Sequence, residues 1–243
     1  MSLPSAISIS FNRRLSGAWL KEGLRLRTEG VQGDTWTEQM TEILSREISG
    51  KDSLRKSMRY LRQIFREDSL LVDEAVEISL RSADPKRWET LCWGCTIAAY
   101  PFIGEVAAVV GRMLKVQSEF KLEQLLRKLT VSFGEKETVR RSGRYALGVM
   151  HDLGFVQRTE KAGHYIGNAL ICVQDQELGG WLLQAWLGGF QNSKFMDRST
   201  LVGHPSLFLF DAGRLIDCAL QTADVNLEKQ SLTQDIIRLS PKY

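Results

Sequence analysis

Apolar residues return every three or four positions through the first half of the chain, the mark of helices that bury one stripe. Trp19, Leu20, Leu24 and Leu26 predict a helix from Gly17 to about Thr28, with Ser16 as its cap. Trp36, Met40, Ile43 and Leu44 predict a second from about Thr35 to Ile48, with Gly50 as the stop. In DSLRKSMRYLRQIF the stripe is Leu54, Met58, Leu61 and Phe65, while Lys56, Arg59, Arg62 and Arg66 project elsewhere. LLVDEAVEISLRS (Leu70 to Ser82) reads as a fourth amphipathic helix that stops near Pro85. KRWETLCWGCTIAAY and PFIGEVAAVVGRML read as a buried pair, with Pro101 opening the second helix. Six such segments on short loops predict a helical bundle over residues 1–118.

The pattern changes after Ser118. FKLEQLLRKL (Phe120 to Leu129) reads as a short helix and TVSFGEKE as a connector. A longer helix then opens at Thr138, or at Glu137 as a first-turn acid, and stops at Gly154 in the left-handed position. FVQRT and HYIGN are strand-sized runs around a Lys161-Ala162-Gly163 turn, and ALICV (Ala169 to Val173) is a further strand candidate. Helix, helix and two-stranded hairpin make a winged-helix plan over residues 119–175.

Beyond Gln174, ELGGWLLQAWLGGF reads as a helix despite four glycines, SLFLFD (Ser206 to Asp211) as a strand, AGRLIDCALQ as a helix and QDIIRLS as a final strand. The fold class expected is mainly α. An N-terminal helical bundle leads to a winged-helix (α+β) domain, and a C-terminal α/β extension, residues 176–243, packs on the winged helix.

Composition adds little to this and charge adds more. With 43% apolar and 25% charged residues the chain is an ordinary globular one. Its net charge of +3 permits an anionic partner without demanding one. Nine Lys/Arg stand against five Asp/Glu from Lys121 to Lys161, a local +4 that exceeds the whole chain's balance.

Leu91 to Leu114 is the best membrane candidate, but Pro101 and Glu105 interrupt it, so two buried helices are expected instead. MSLPSAISISFNRR has no apolar stretch followed by a small-residue cleavage site, so no leader is expected and a cytoplasmic protein is.

Chemistry-bearing motifs are scarce. Cys92 and Cys95 have dithiol spacing, but they sit in a helical pattern, and Cys172 and Cys218 offer no second close pair for zinc. Buried free thiols are the expectation. His151, His164 and His204 are too scattered for a metal, and the glycine pairs 179–180 and 188–189 lack a phosphate loop's lysine. Asp211 and Asp217 make only a weak carboxylate pair. No catalytic residue, metal or cofactor is therefore assigned. Trp181 and Trp186 either pack inside or offer a surface to another protein.

The helix TVRRSGRYALGVMHD carries the sharpest functional signal. Val139, Gly143, Ala146, Met150 and Leu153 fall within about 80° of arc, while Arg140, Arg144 and His151 fall within about 40° on the opposite side. Arg141 lies to one side. The second helix of a winged helix enters the major groove of DNA, and guanidinium groups there reach phosphate or guanine in bidentate fashion. Arg158 and Lys161 on the hairpin would touch phosphate beside the groove, and His164 and Tyr165 would pack the wing or meet sugar. Six Lys/Arg between Lys51 and Arg66 face only Asp52. They extend the footprint, or they pair with Asp73, Glu74 and Glu77. Exposed arginines also arise on plain solvent faces, and winged helices also join proteins.

SISFNRRLSGAWLKEGLRL, SLRKSMRYLRQIF and TVRRSGRYALGVMHDLGF resemble segments of the BrxA family of bacterial BREX phage-defence systems, across Ser8 to Gly167. The resemblance implies a helical domain similar to NusB-type bundles, a winged-helix domain, and binding of double-stranded DNA without catalytic activity. It implies contacts at Arg140, Arg141 and Arg144, with Arg59 and Arg62 on the first domain. The tail after about Gln174 departs from the family's usual length. The function this implies is that of a DNA-binding accessory protein that also meets other defence-system proteins. A structural assembly protein and a binder of structured RNA are the alternatives.

Overall fold

The computed structural model describes residues 9, 11–231 and 234–240. The opening residues read above for a leader lie, up to residue 8, outside the described residues.

Six helices form the bundle: α1 (Gly17–Thr28), α2 (Gly33–Ser45), α3 (Lys51–Ile64), α4 (Leu70–Arg81), α5 (Arg87–Ala99) and α6 (Pro101–Leu114). The Ser16 hydroxyl accepts from Ala18 N and caps α1 as expected, whereas Gly50 proves to open α3 rather than to end α2. α5 and α6 meet at Pro101 with a bend of 114°, and no single helix among the described residues is long and apolar enough to cross a membrane. Arg27, only 4% exposed, crosses the bundle to donate to Phe65 O and Asp73 Oδ1.

The winged unit follows as β1 (Glu119–Lys121), α7 (Leu122–Phe133), α8 (Glu137–Asp152), β2 (Val156–Arg158) and β3 (His164–Gly167). Its sheet runs in the order β1-β3-β2, all antiparallel, with Phe120 opposite Tyr165 and Arg158 opposite Tyr165 on the other edge. Phe120 therefore belongs to a strand, not to the short helix expected from its sequence. Its ring is buried and stacks on Tyr165 at 5.7 Å, and that non-local contact outweighs the local helical pattern. α7 in turn runs on to Phe133 through residues read as connector. Gly154 and Gly163 adopt positive φ after α8 and at the wing tip, as the turn chemistry required.

The extension holds α9 (Gln176–Gln184), which continues as a π-helical turn (Ala185–Phe190), then β4 (Phe195–Asp197), α10 (Arg198–Val202), a 3₁₀ turn (Pro205–Leu207), α11 (Ala212–Ala219), β5 (Val225–Lys229) and β6 (Asp235–Leu239). A second antiparallel sheet runs β4-β6-β5. Two expected strands do not form. SLFLFD becomes a 3₁₀ turn and coil, because Pro205 starts a turn and Ser206 Oγ is engaged by Trp186 Nε1 at 2.8 Å. ALICV keeps a single bridge, Ile171 to Phe210.

The extension, residues 176–243, was expected on the winged helix; its described residues, 176–231 and 234–240, pack chiefly on the bundle. The Trp181 ring lies over Gly94, the Phe190 ring over Gly104, and Pro205 O over Gly111. The winged unit meets the extension through the Ile171–Phe210 bridge and the Phe155–Phe210 ring contact at 6.2 Å. One apolar cluster runs without interruption from Phe11 to Leu239.

Two joints make testable points. Asp152, at the end of α8, accepts from Gly17 N at 3.2 Å, so the winged unit supplies a cap to the first helix of the bundle. Asp152→Ala is expected to lower stability by about 1 kcal/mol, measured by urea denaturation. An unchanged midpoint would show that the cap contributes nothing.

His204 sits edge-on to Trp186 at 4.8 Å, and its Nδ1 accepts from Ser206 N, which requires the neutral ring. Burial first, then Arg112 and Lys115, push its pKa from 6.5 down to about 4. Below pH 6.5 the unfolded chain takes up a proton that the folded imidazole refuses, so this contribution to stability is lost as pH falls from about 6.5 towards 4. His204→Asn retains an acceptor for Ser206 and should flatten the melting temperature over that window. Parallel slopes for the two proteins would refute the assignment.

Candidate nucleic-acid interface

The winged unit positions α8 by burying one face of it. Val139, Ser142, Gly143, Ala146, Leu147, Val149 and Met150 are buried, and a Cβ on Gly143 would lie 2.6 Å from Leu129, so α7 and α8 approach closely there. The solvent side of α8 then has two flanks that differ in their electrostatics.

On the flank towards α7, Arg140 Nη2 meets Glu123 Oε2 at 2.8 Å. Arg144 lies 4.0 Å from Glu123 and 3.8 Å from Glu137. Arg140 is thus held by a partner on α7, while Arg144 is exposed and only loosely neighboured. On the other flank, Arg141, Tyr145, Gly148 and Asp152 fall within about 60° of arc. Asp152 on that flank holds α1, so this side of α8 faces the bundle. Arg141 is exposed and makes no ion pair among the described residues.

The wing contributes Arg158 on β2 and Lys161 at the tip, both exposed. His164 and Tyr165 are occupied within the wing. His164 Nδ1 is bonded to Glu119 on β1, a contact that holds the Glu119 carboxyl below its ordinary range, and Tyr165 is buried against Phe120.

Arg59 and Arg62 lie on α3, with Arg62 Nε donating to Thr37 Oγ1 of α2 at 3.2 Å and Arg59 over the Tyr60 ring at 5.5 Å. Along α3, Arg55, Arg59 and Arg62 follow one exposed ridge within about 60° of arc. The side of α3 that turns towards α8 is a different one: Ser53 and Ser57 share a cleft with Tyr145 of α8. Ser53 and Ser57 are separated from the arginine ridge by roughly 120° or more. The structure therefore does not bring Arg59 and Arg62 to the α8 arginines.

That cleft was not anticipated. Arg13 and Arg14 line it, held between the buried Phe11 and Leu15, and Asn12 N donates to Tyr60 Oη at 3.0 Å. A readable signal existed in FNRRL, where two arginines stand between apolar residues four apart.

Among the described residues no three His, Cys, Asp or Glu side chains cluster to hold a metal. Cys92 and Cys95 are buried, and burial pushes both thiols up, Cys95 to about 12, which is the opposite of a reactive dithiol. Trp181 and Trp186 are buried, donating to Leu71 O and Ser206 Oγ, so they are packing residues and not a partner surface. Comparison with protein-family models, curated proteins and solved structures finds no match to this chain.

Proposed function

We propose that the protein is a non-catalytic binder of double-stranded DNA, held mainly through the phosphate backbone. One observation carries this reading: within a single winged unit, α8 exposes Arg141 and Arg144 while the adjoining wing exposes Arg158 and Lys161. A helix flanked by a cationic hairpin matches the way such units grip a groove and its neighbouring backbone. The resemblance of three segments to the BrxA family supports a place in a bacterial phage-defence complex, with other defence-system proteins as further partners.

The test is fluorescence anisotropy with a labelled duplex of about 30 base pairs at 50 and 200 mM salt, beside an RNA duplex of the same sequence. Four cations engaged at phosphate give a slope near −3.6 in log affinity against log salt, so binding should weaken by roughly a hundredfold between the two conditions. Equal or tighter binding of the RNA duplex would favour an RNA role. Absence of duplex binding by folded protein at 50 mM salt would overturn the proposal and leave the assembly role as the better account.

A further inference from the structure

We infer that the cleft between α8, α3 and the segment before α1 is a seat for one phosphate group. This rests on the duplex-binding reading, because the phosphate assigned to it is one of the duplex backbone. The cleft has a volume of about 330 Å³ and opens to solvent. Its lining combines Arg13 and Arg14 with the hydroxyls of Ser53, Ser57 and Tyr145.

Three features mark it as a seat for an anion. First, Arg13 and Arg14 make no ion pair among the described residues, although two buried neighbours fix their backbone. The carboxylate also in the lining, Glu47, accepts from Trp19 Nε1 at 3.2 Å, and it leaves the pair of guanidinium groups in excess. Second, Ser57 is 1% exposed, yet its hydroxyl has no hydrogen-bond partner among the described residues and lines this cleft. The hydroxyls of Ser53, Ser57 and Tyr145 in the lining can each donate to a ligand oxygen. Third, α3 starts here with Gly50 as its N-cap and no side chain on its first amides, while the first-turn Asp52 is turned to Arg55 and Lys56. The open amides and the positive end of the helix favour negative charge.

Tyr145 is what makes the seat matter. It lies one turn beyond Arg141 on the same side of α8, so a strand that passes Arg141 runs on towards Arg13 and Arg14. The bundle thereby extends the winged unit's grip along the backbone by a route different from the Arg59 and Arg62 ridge.

The test compares duplex binding by wild type, Arg13→Ala/Arg14→Ala, Ser57→Ala and Arg59→Ala/Arg62→Ala, with melting curves to confirm folding. The first variant should lose tenfold or more in affinity at about 100 mM salt, and its salt slope should be shallower by about 2, one unit for each phosphate-facing arginine. Ser57→Ala, which removes no charge, should weaken binding by about threefold with the slope unchanged, and it remains informative if the double variant folds poorly. Wild-type binding by both cleft variants overturns the inference while leaving the duplex reading in place.

Wild type that binds no duplex removes that reading, and the cleft is then judged alone. Inorganic phosphate is titrated against ¹⁵N-indole-labelled protein, with the Trp19 resonance identified by Trp19→Phe. A saturable shift that Arg13→Ala/Arg14→Ala abolishes supports a seat for a free phosphate group, and no shift overturns it.

Discussion

Gly111→Ala is expected to lower the melting temperature by about 10 °C, the equivalent of roughly 3 kcal/mol for a chain of this size. A Cβ at this position would lie 1.9 Å from Pro205 O, 2.9 Å from Pro205 C and 3.0 Å from the Phe208 ring. The obstacle is backbone, anchored in the 3₁₀ turn by Leu207 N donating to His204 O, and it has no flexible side chain to swing aside. Either α6 or the extension must move, and α6 is buried along most of its length. The same helix carries Gly104 beneath the Phe190 ring, so displacement along α6 loosens a second contact as well.

Gly148→Ala provides the control. No described residue lies within 4 Å of its would-be Cβ, and its φ is not positive, so helix propensity alone should raise stability by up to about 1 kcal/mol. Thermal unfolding followed by circular dichroism measures both. A Gly111→Ala protein that melts within about 2 °C of wild type would mean that α6 and the extension do not approach as closely as described.

The contrast between those glycines also shows what could be read from the chain and what could not. Stripes such as Leu54, Met58 and Leu61 place α3 correctly because burying one face is a local pattern with a helical period. The wing was legible for a similar reason, since Gly154 and Gly163 mark turns by their own conformational needs. Three-residue strands have no such pattern. Glu119–Lys121 and Phe195–Asp197 are strands only because β3 and β6 pair with them from 45 and 41 residues away. SLFLFD failed in the opposite direction: its apolar run is strand-like, but Pro205 turns it and Trp186 and His204 capture Ser206. Nothing in the local pattern singles out Gly94, Gly104 and Gly111, yet they are places where a distant segment lies against helix backbone.

The candidate site divides along the same line. A helical wheel separates Arg141 from Arg140 and Arg144, but only the packing of α7 against α8 brings Glu123 to Arg140. Arg13 and Arg14 acquire meaning only once α3 and α8 lie on either side of them.

That asymmetry sets the strongest functional expectation. Arg141→Glu/Arg144→Glu should reduce duplex affinity by at least roughly a hundredfold at 50 mM salt, since it removes two phosphate-facing cations and puts like charge against the backbone. Arg140→Ala should cost less, about threefold, because Arg140 already spends its charge on Glu123 at 2.8 Å and its side chain is the least exposed of the three. The exposure and the free charge of Arg141 make it the larger single contributor of the reversed pair, so Arg141→Ala alone should exceed Arg144→Ala in its effect. Anisotropy titrations of these four variants, each confirmed folded, rank the flanks of α8 directly. A loss that follows Arg140 rather than Arg141 would place the duplex on the α7 flank and separate it from the cleft. Affinity untouched by the double reversal would take α8 out of the interface altogether, whatever the wing contributes.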